Sequence, residues 1–161
     1  MTDPAPPTKR VLVVDDVPEI GSIFRQTLRR IRGPRLEVVT EVSSQRAKAL
    51  VQTSRFDLIV SDFRMRDVNG IQLLTAAREH HPDGYRILMS GYHDVPATPD
   101  EIEEARVDAY LSKPIQSQDL LLVLISFLND DKATIGEQRA IARELESLER
   151  ASPAAPAPER R

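Results

Sequence analysis

The sequence predicts a doubly wound α/β fold, a parallel sheet of five strands with helices on both faces. Three observations predict it. Short apolar runs rich in β-branched residues recur along the chain, segments with helical periodicity alternate with them, and the connections between the two are short. Right-handed crossovers leave few topologies for such an alternation.

Residues 11–14 (Val11, Leu12, Val13, Val14) form a continuous apolar run, as expected of a strand covered on both faces. Ile20, Ile23, Phe24, Thr27, Leu28 and Ile31 then follow the spacing of one helix face, with Arg25, Arg29 and Arg30 off it. Gly33 and Pro34 stop that helix. Residues 36–40 read as a second strand, and Ser43 or Ser44 would cap a helix running to about Thr53. Residues 57–61 are the third strand and 71–79 the third helix, ended by His80, His81 and Pro82. Residues 86–89 form the fourth strand. Pro96 and Pro99 prevent regular helix before Thr98, so the fourth helix is short and a longer loop, residues 93–97, precedes it. Residues 109–112 are the fifth strand and 117–128 the fifth helix.

Charge and composition exclude several function classes. Lys and Arg number 22 against 25 Asp and Glu, a net charge of −3, which does not favour direct nucleic-acid or membrane-surface binding. Cysteine is absent, so disulfides, thiolate metal sites and a Cys nucleophile are excluded. With no apolar leader and no apolar run near the ~20 residues of a membrane span, the expected location is the cytoplasm. His80, His81 and His93 are not read as metal ligands; the first two sit at a helix C-terminus, where the dipole favours positive charge. Arg25, Arg29, Arg30, Arg32 and Arg35 read as a solvated face of the first helix and the loop after it, or as a docking surface for a protein partner.

Ligands of open parallel sheets bind beyond the carboxyl ends of the strands. Asp15 and Asp16 follow the first strand, Asp62 the third, Ser90 and Gly91 close the fourth, and Lys113 and Pro114 the fifth. Taken singly, the aspartates read as helix caps or turn residues, Ser90 as a turn or cap residue and Lys113 as a solvated loop charge. Together they have a chemistry. Three carboxylates converging on one sheet edge repel one another and need a cation or a shifted pKa. All-oxygen donors suit a hard divalent ion such as Mg²⁺ or Mn²⁺. A lysine and a hydroxyl beside it would hold phosphoryl oxygens, and a central carboxylate can be a nucleophile that forms an aspartyl phosphate.

The segments VLVVDD at 11–16, SDFRMRDVNG at 61–70, Ser90-Gly91 and AYLSKPI at 109–115 resemble the receiver domain of bacterial-type response regulators, over residues from about Lys9 to Leu128. The resemblance implies a flavodoxin-like sheet of order 2-1-3-4-5. It makes Asp62 the phosphoacceptor, with Asp16 and Asp62 as direct metal ligands, the Arg64 backbone carbonyl completing them and Asp15 acting through water. It assigns Lys113 and Ser90 to the phosphoryl group, Ser90 and Tyr110 to the activation switch, and a cis bond to Lys113–Pro114. The implied partners are a sensor histidine kinase or phosphotransfer protein and a downstream protein, reached through the face from the fourth helix to the fifth. Such a domain is a signal carrier, not an enzyme beyond its own phosphorylation and dephosphorylation.

The sequence departs from the family at Arg66, where a proline is usual. That change is expected to loosen the loop carrying the Arg64 carbonyl. Arg64 and Tyr92 fall where the family tunes phosphoaspartate hydrolysis; they read either as a screen against water or as surface decoration. The stretch YRILMSGYHD at 85–94 is also similar to receivers joined to cyclic-dinucleotide phosphodiesterase domains, for which no room follows Leu128. Alternatives are a scaffold of the same fold that never carries phosphate, and a metal-dependent phosphatase. The phosphatase needs an acid two residues after its nucleophile, where Arg64 stands. A flavin module would need a Ser/Thr/Gly-rich phosphate loop that is missing here.

Residues 1–9 and 151–161 are Pro-rich and expected to be disordered, leaving a receiver domain at 10–129. Thr134 to Glu137 has the pattern of a capping box, and Ile141, Leu145 and Leu148 form a short seam, so an amphipathic helix is expected within 130–150. On the fifth helix Val123, Phe127, Leu120, Leu124, Leu128, Leu121 and Ile125 cover roughly 200°, against ~100° for a one-sided helix, and Leu122 widens the arc. Its second side needs a cover, either the chain's own C-terminal helix or a second subunit; the favoured reading is a homodimer face that the C-terminal helix hides or reinforces.

Overall fold

The computed structural model describes residues 7–91 and 98–129. Five strands, β1 (Lys9–Val14), β2 (Leu36–Glu41), β3 (Leu58–Asp62), β4 (Tyr85–Ser90) and β5 (Ala109–Ser112), alternate with α1 (Pro18–Arg30), α2 (Ser44–Thr53), α3 (Gly70–His80), α4 (Pro99–Ala105) and α5 (Ser117–Leu128). The strands form one parallel sheet of order β2-β1-β3-β4-β5. The fold class and strand order expected above are those observed.

Alternation along the central strands splits the core in two. Val11, Val13, Leu58, Val60, Ile87 and Met89 join Phe24 and Leu28 of α1 and Leu120, Leu124 and Phe127 of α5 on one face. Leu12, Val14, Ile59 and Leu88 join the apolar residues of α2, α3 and α4 on the other. A strand buried on both faces must be apolar throughout, which is why β1 and β3 read as unbroken runs.

Local signals set the helix starts. Asn69 and Gln72 make a reciprocal capping box on α3, and Thr98 and Glu101 make another on α4, with Pro99 at its first position. Ser43 is the cap of α2, its Oγ accepting from the Arg46 amide at 3.3 Å.

The structure corrects several sequence expectations. β1 opens at Lys9, inside the stretch expected to be disordered, because its amide donates to Arg35 O at 2.8 Å and the residue pairs with Leu36. β3 begins and ends one residue later than expected, with Asp62 its last residue; Asp57, just ahead of it, still bonds Arg10 O and the Tyr85 amide through its backbone and accepts the Arg10 amide on its side chain. Ile23 is 39 % exposed, so the buried line of α1 runs through Gly21, Phe24 and Leu28. The expected loop at 93–97, the helix within 130–150 and the tail at 151–161 lie outside the described residues.

Glycine at position 70 is a steric requirement. A Cβ there would stand 2.3 Å from Asp62 O and 2.9 Å from Asp62 C, so α3 starts directly against the backbone of Asp62. At Gly33 a Cβ would meet nothing within 4 Å. Gly70→Ala is therefore expected to lose about 1–3 kcal/mol, the cost of overpacking. Gly33→Ala should change stability by less than ~1 kcal/mol. Urea unfolding of both variants tests this, and equal midpoints would contradict it.

Candidate functional site

The site sits where the sheet delivers strand ends side by side. β1 runs directly into Asp15, whose amide still pairs with Glu41 O at 3.2 Å. The Asp15 side chain is buried; Oδ1 accepts the Val17 amide at 2.9 Å, and Oδ2 faces Lys113 Nζ at 2.6 Å. Val17 is the cap residue of α1 and makes no side-chain cap bond. Asp15 thus shapes the β1–α1 turn while keeping one oxygen for the site. Asp16 is exposed beside it.

Asp62 ends β3, buried, with Oδ1 at 3.0 Å from Lys113 Nζ. Its neighbour in β4 is Met89, whose carbonyl accepts the Phe63 amide at 2.7 Å, so pairing continues one residue past the strand. Ser90 follows Met89, partly buried, and its carbonyl accepts the Lys113 amide at 2.8 Å. This backbone bond fixes where the Lys113 side chain departs. The Lys113–Pro114 peptide bond is cis. Carboxylate oxygens of Asp15, Asp16 and Asp62 all lie within 4.8 Å of one another, the one such acidic cluster found among the described residues.

The electrostatics follow from this crowding. Burial, and then the charges of Asp15 and Asp16, push the Asp62 carboxyl above its ordinary value despite the hydrogen bond from Lys113. Burial alone would lower Lys113, yet its hydrogen bonds and ion pairs with Asp15 and Asp62 raise it, so it stays an ammonium. Three carboxylates gather here against one ammonium, so acidic groups are in excess on a few oxygens. An all-oxygen donor set with that excess fits a hard divalent cation.

The other residues singled out in the sequence are arranged around this centre. Arg64 is exposed on the loop between β3 and α3. Tyr110, in β5, is partly buried and packs against the core on the side of α3 and α4. Tyr92 lies outside the described residues. Sequence reasoning gave no role at the site to Gly70, or to Ser44 beyond a possible cap. Ser44 is 5 % exposed; its hydroxyl donates to Arg66 O and accepts the Val68 amide at 3.3 Å. No spacing rule reveals a contact between residues 22 apart in the chain.

Comparison with known proteins agrees with this geometry. Residues 11–125 match the response regulator receiver domain family. The chain is 34 % identical over 104 residues to the hydrogenase transcriptional regulatory protein HoxA of Cupriavidus necator, covering 65 % of this chain and 21 % of that protein. It is 28 % identical over 118 residues to the photosynthetic apparatus regulatory protein RegA of Rhodobacter capsulatus, covering 73 % and 62 %. The match thus spans about a fifth of the first relative and three-fifths of the second. Among solved structures, the signal receiver domain of an HD domain-containing protein from Pseudomonas fluorescens superimposes with a TM-score of 0.66 at 27 % identity, over 78 % of this chain and 98 % of that one. Chemotaxis protein CheY4 of Vibrio cholerae gives 0.62 at 27 %, over 76 % and 100 %. The chain belongs to the response regulator receiver domain family of two-component signalling.

Proposed function

We propose that this domain accepts a phosphoryl group on Asp62 and passes the signal on by protein contact. The observation that carries the reading is the Lys113 ammonium bridging buried Asp15 and Asp62 beside Asp16. In the proposed step an Asp62 carboxylate oxygen attacks phosphorus of a phosphohistidine on a sensor kinase or phosphotransfer protein. The P–N bond breaks, and the imidazole nitrogen keeps the electron pair and takes up a proton. Lys113, held in place by Asp15, faces the phosphoryl oxygens, and the Ser90 hydroxyl donates to one of them. Asp16, Asp62 and the Arg64 carbonyl would hold Mg²⁺ or Mn²⁺, with Asp15 acting through water. When bound, the cation neutralises charge on carboxylates and phosphoryl oxygens together.

The output is a shift between two packings of the face from Ser90 through Tyr110 to α5. Receiver domains are mostly signal transducers rather than enzymes, and we read this one so. Among the described residues no helix is long and apolar enough to cross a membrane, and we assign the domain to the cytoplasm. The downstream partner is read as a protein, with no direct contact to nucleic acid. Leu121, Leu122 and Ile125 of α5 are 41 %, 64 % and 40 % exposed, and we propose that a second copy covers them, helped by the helix expected within 130–150. The domain limits 10–129 stand as part of the same proposal.

Intact mass after incubation with Mg²⁺ and acetyl phosphate should show one hydroxylamine-labile phosphate on the wild type and none on Asp62→Ala. A folded wild type that neither gains mass nor binds beryllofluoride contradicts the reading. If Arg64 and Tyr92 screen the acyl phosphate, their alanine variants will lose that mass faster once the donor is removed; unchanged decay removes that role.

Charge at the site sets a stability difference. A carboxyl held above its unfolded value of 3.8 stabilises the fold only while protonated. Its contribution is present below that pH and lost as pH rises through the native value. At pH 7 without divalent cations, Asp62→Asn should melt above the wild type. The gap should close below pH 3.8. An equal or lower melting point at pH 7 contradicts the charge argument. Light scattering of a chain cut after Asp130 tests the dimer: a change in mass is expected, and an unchanged mass counts against it.

A further inference from the structure

The loop from Phe63 to Asn69 carries Arg64, and three kinds of contact hold it. At its base the Phe63 amide donates to Met89 O at 2.7 Å, and the Gly70 amide returns to Phe63 O at 3.0 Å. Along its length Phe63, Met65 and Val68 pack partly buried against the core, while Arg64, Arg66, Asp67 and Asn69 face outward. At its tip Asp67 is left-handed, with φ 65°, and the Val68 amide folds back onto Arg66 O at 2.7 Å. A non-glycine residue in this conformation persists only where its surroundings hold it.

Ser44 supplies that hold from another element. It opens α2 without capping it, since the cap is Ser43. Its hydroxyl donates to Arg66 O, and the same oxygen accepts the Val68 amide at 3.3 Å. One buried hydroxyl therefore grips the peptide groups on both sides of Asp67. Nothing in helix formation requires this of Ser44; a serine inside a helix usually faces solvent or its own preceding turn.

We propose that Ser44 is a positioning residue for the cation site: by clamping the turn at Asp67 it fixes the loop that presents the Arg64 carbonyl. This rests on the reading of that carbonyl as a metal ligand given above. The clamp does the stiffening that a proline at position 66 would do through its ring. It acts through two hydrogen bonds instead, so Arg66 need not leave the loop loose.

The test is calorimetric titration of the full chain with Mg²⁺ alone, before any phosphodonor is added. Ser44→Ala and Ser44→Cys both remove the strong hydroxyl, and the thiol keeps nearly the same volume should alanine unfold the protein. Each is expected to weaken Mg²⁺ binding about tenfold, the lower end for groups that orient a metal's ligands, and to speed hydrogen exchange at the Val68 amide. Val51→Ala, a fully buried α2 site, controls for lost stability alone and should leave the affinity unchanged. Wild-type affinity retained in both Ser44 variants overturns the proposal, as does an equal loss in Val51→Ala. A wild type that does not bind Mg²⁺ removes the cation reading itself, and the role of Ser44 with it.

Discussion

One ammonium holds this site together. Lys113 Nζ lies 2.6 Å from Asp15 and 3.0 Å from Asp62, two carboxylates that the fold has already taken out of water. Without it, burial and mutual repulsion would act on both acids unopposed. With it, one positive charge is shared between two buried negative ones, and Asp16 adds a third at the solvent side. The arrangement is stable enough to fold and still underneutralised. A group held in that condition favours any ligand that brings more positive charge.

The sheet makes this crowding unavoidable. Strands β1, β3 and β4 are adjacent and parallel, so the chain leaves all three at one edge. Backbone bonds then carry the order past the strands themselves: Phe63 to Met89 beyond β3, Lys113 to Ser90 beyond β5, Asp15 to Glu41 beyond β1. The bonds of Asp15 and Lys113 fix the start of side chains that meet at the centre, and the bond of Phe63 holds the chain directly after Asp62. Side chains set on such a frame lose little freedom on meeting a substrate, which is the part of catalysis that positioning supplies. Gly70 serves the same end by subtraction, since only a residue without Cβ lets α3 begin against the Asp62 carbonyl.

How much of this the sequence revealed depends on the range of each interaction. Strand and helix identity, the late start of α4 at Thr98 and Pro99, and the strand-end acids are local or follow from topology, and they were legible. Boundaries set by a partner were not. Lys9 is a strand residue because β2 pairs with it, while Asp57 stands one residue ahead of β3 although its amide donates to Arg10 O and its carbonyl accepts the Tyr85 amide, each at 2.8 Å. Helical periodicity named Ile23 as inward-facing, but it states a direction and not what lies there; at that position the neighbouring elements leave it exposed. The broad apolar arc of α5 was legible as a two-sided helix. The structure divides it, with Leu120, Leu124 and Phe127 inside and Leu121, Leu122 and Ile125 out. Ser44 was visible only as a possible cap, because its partners lie on the far side of a strand in the chain and belong to no pattern.

The opposite edge of the sheet shows a buried charge whose partners all belong to the fold itself. Arg86, near the start of β4, is 1 % exposed, and its guanidinium donates to Arg106 O at 3.0 Å and His81 O at 2.9 Å, while its own amide donates to Asp108 at 2.9 Å. Burial lowers its pKa, and the Asp108 charge opposes that shift. The C-terminal turn of α4, the end of α3 and the start of β5 all close on this cation. It is a charge satisfied by carbonyls and a neighbouring acid, with its work confined to holding elements together. At the other edge Asp15 and Asp62 are buried too, but with Asp16 beside them three carboxylates share one ammonium. Burial of charge is common to both edges, and balance distinguishes them. The unbalanced edge is the one whose donor set suits a cation.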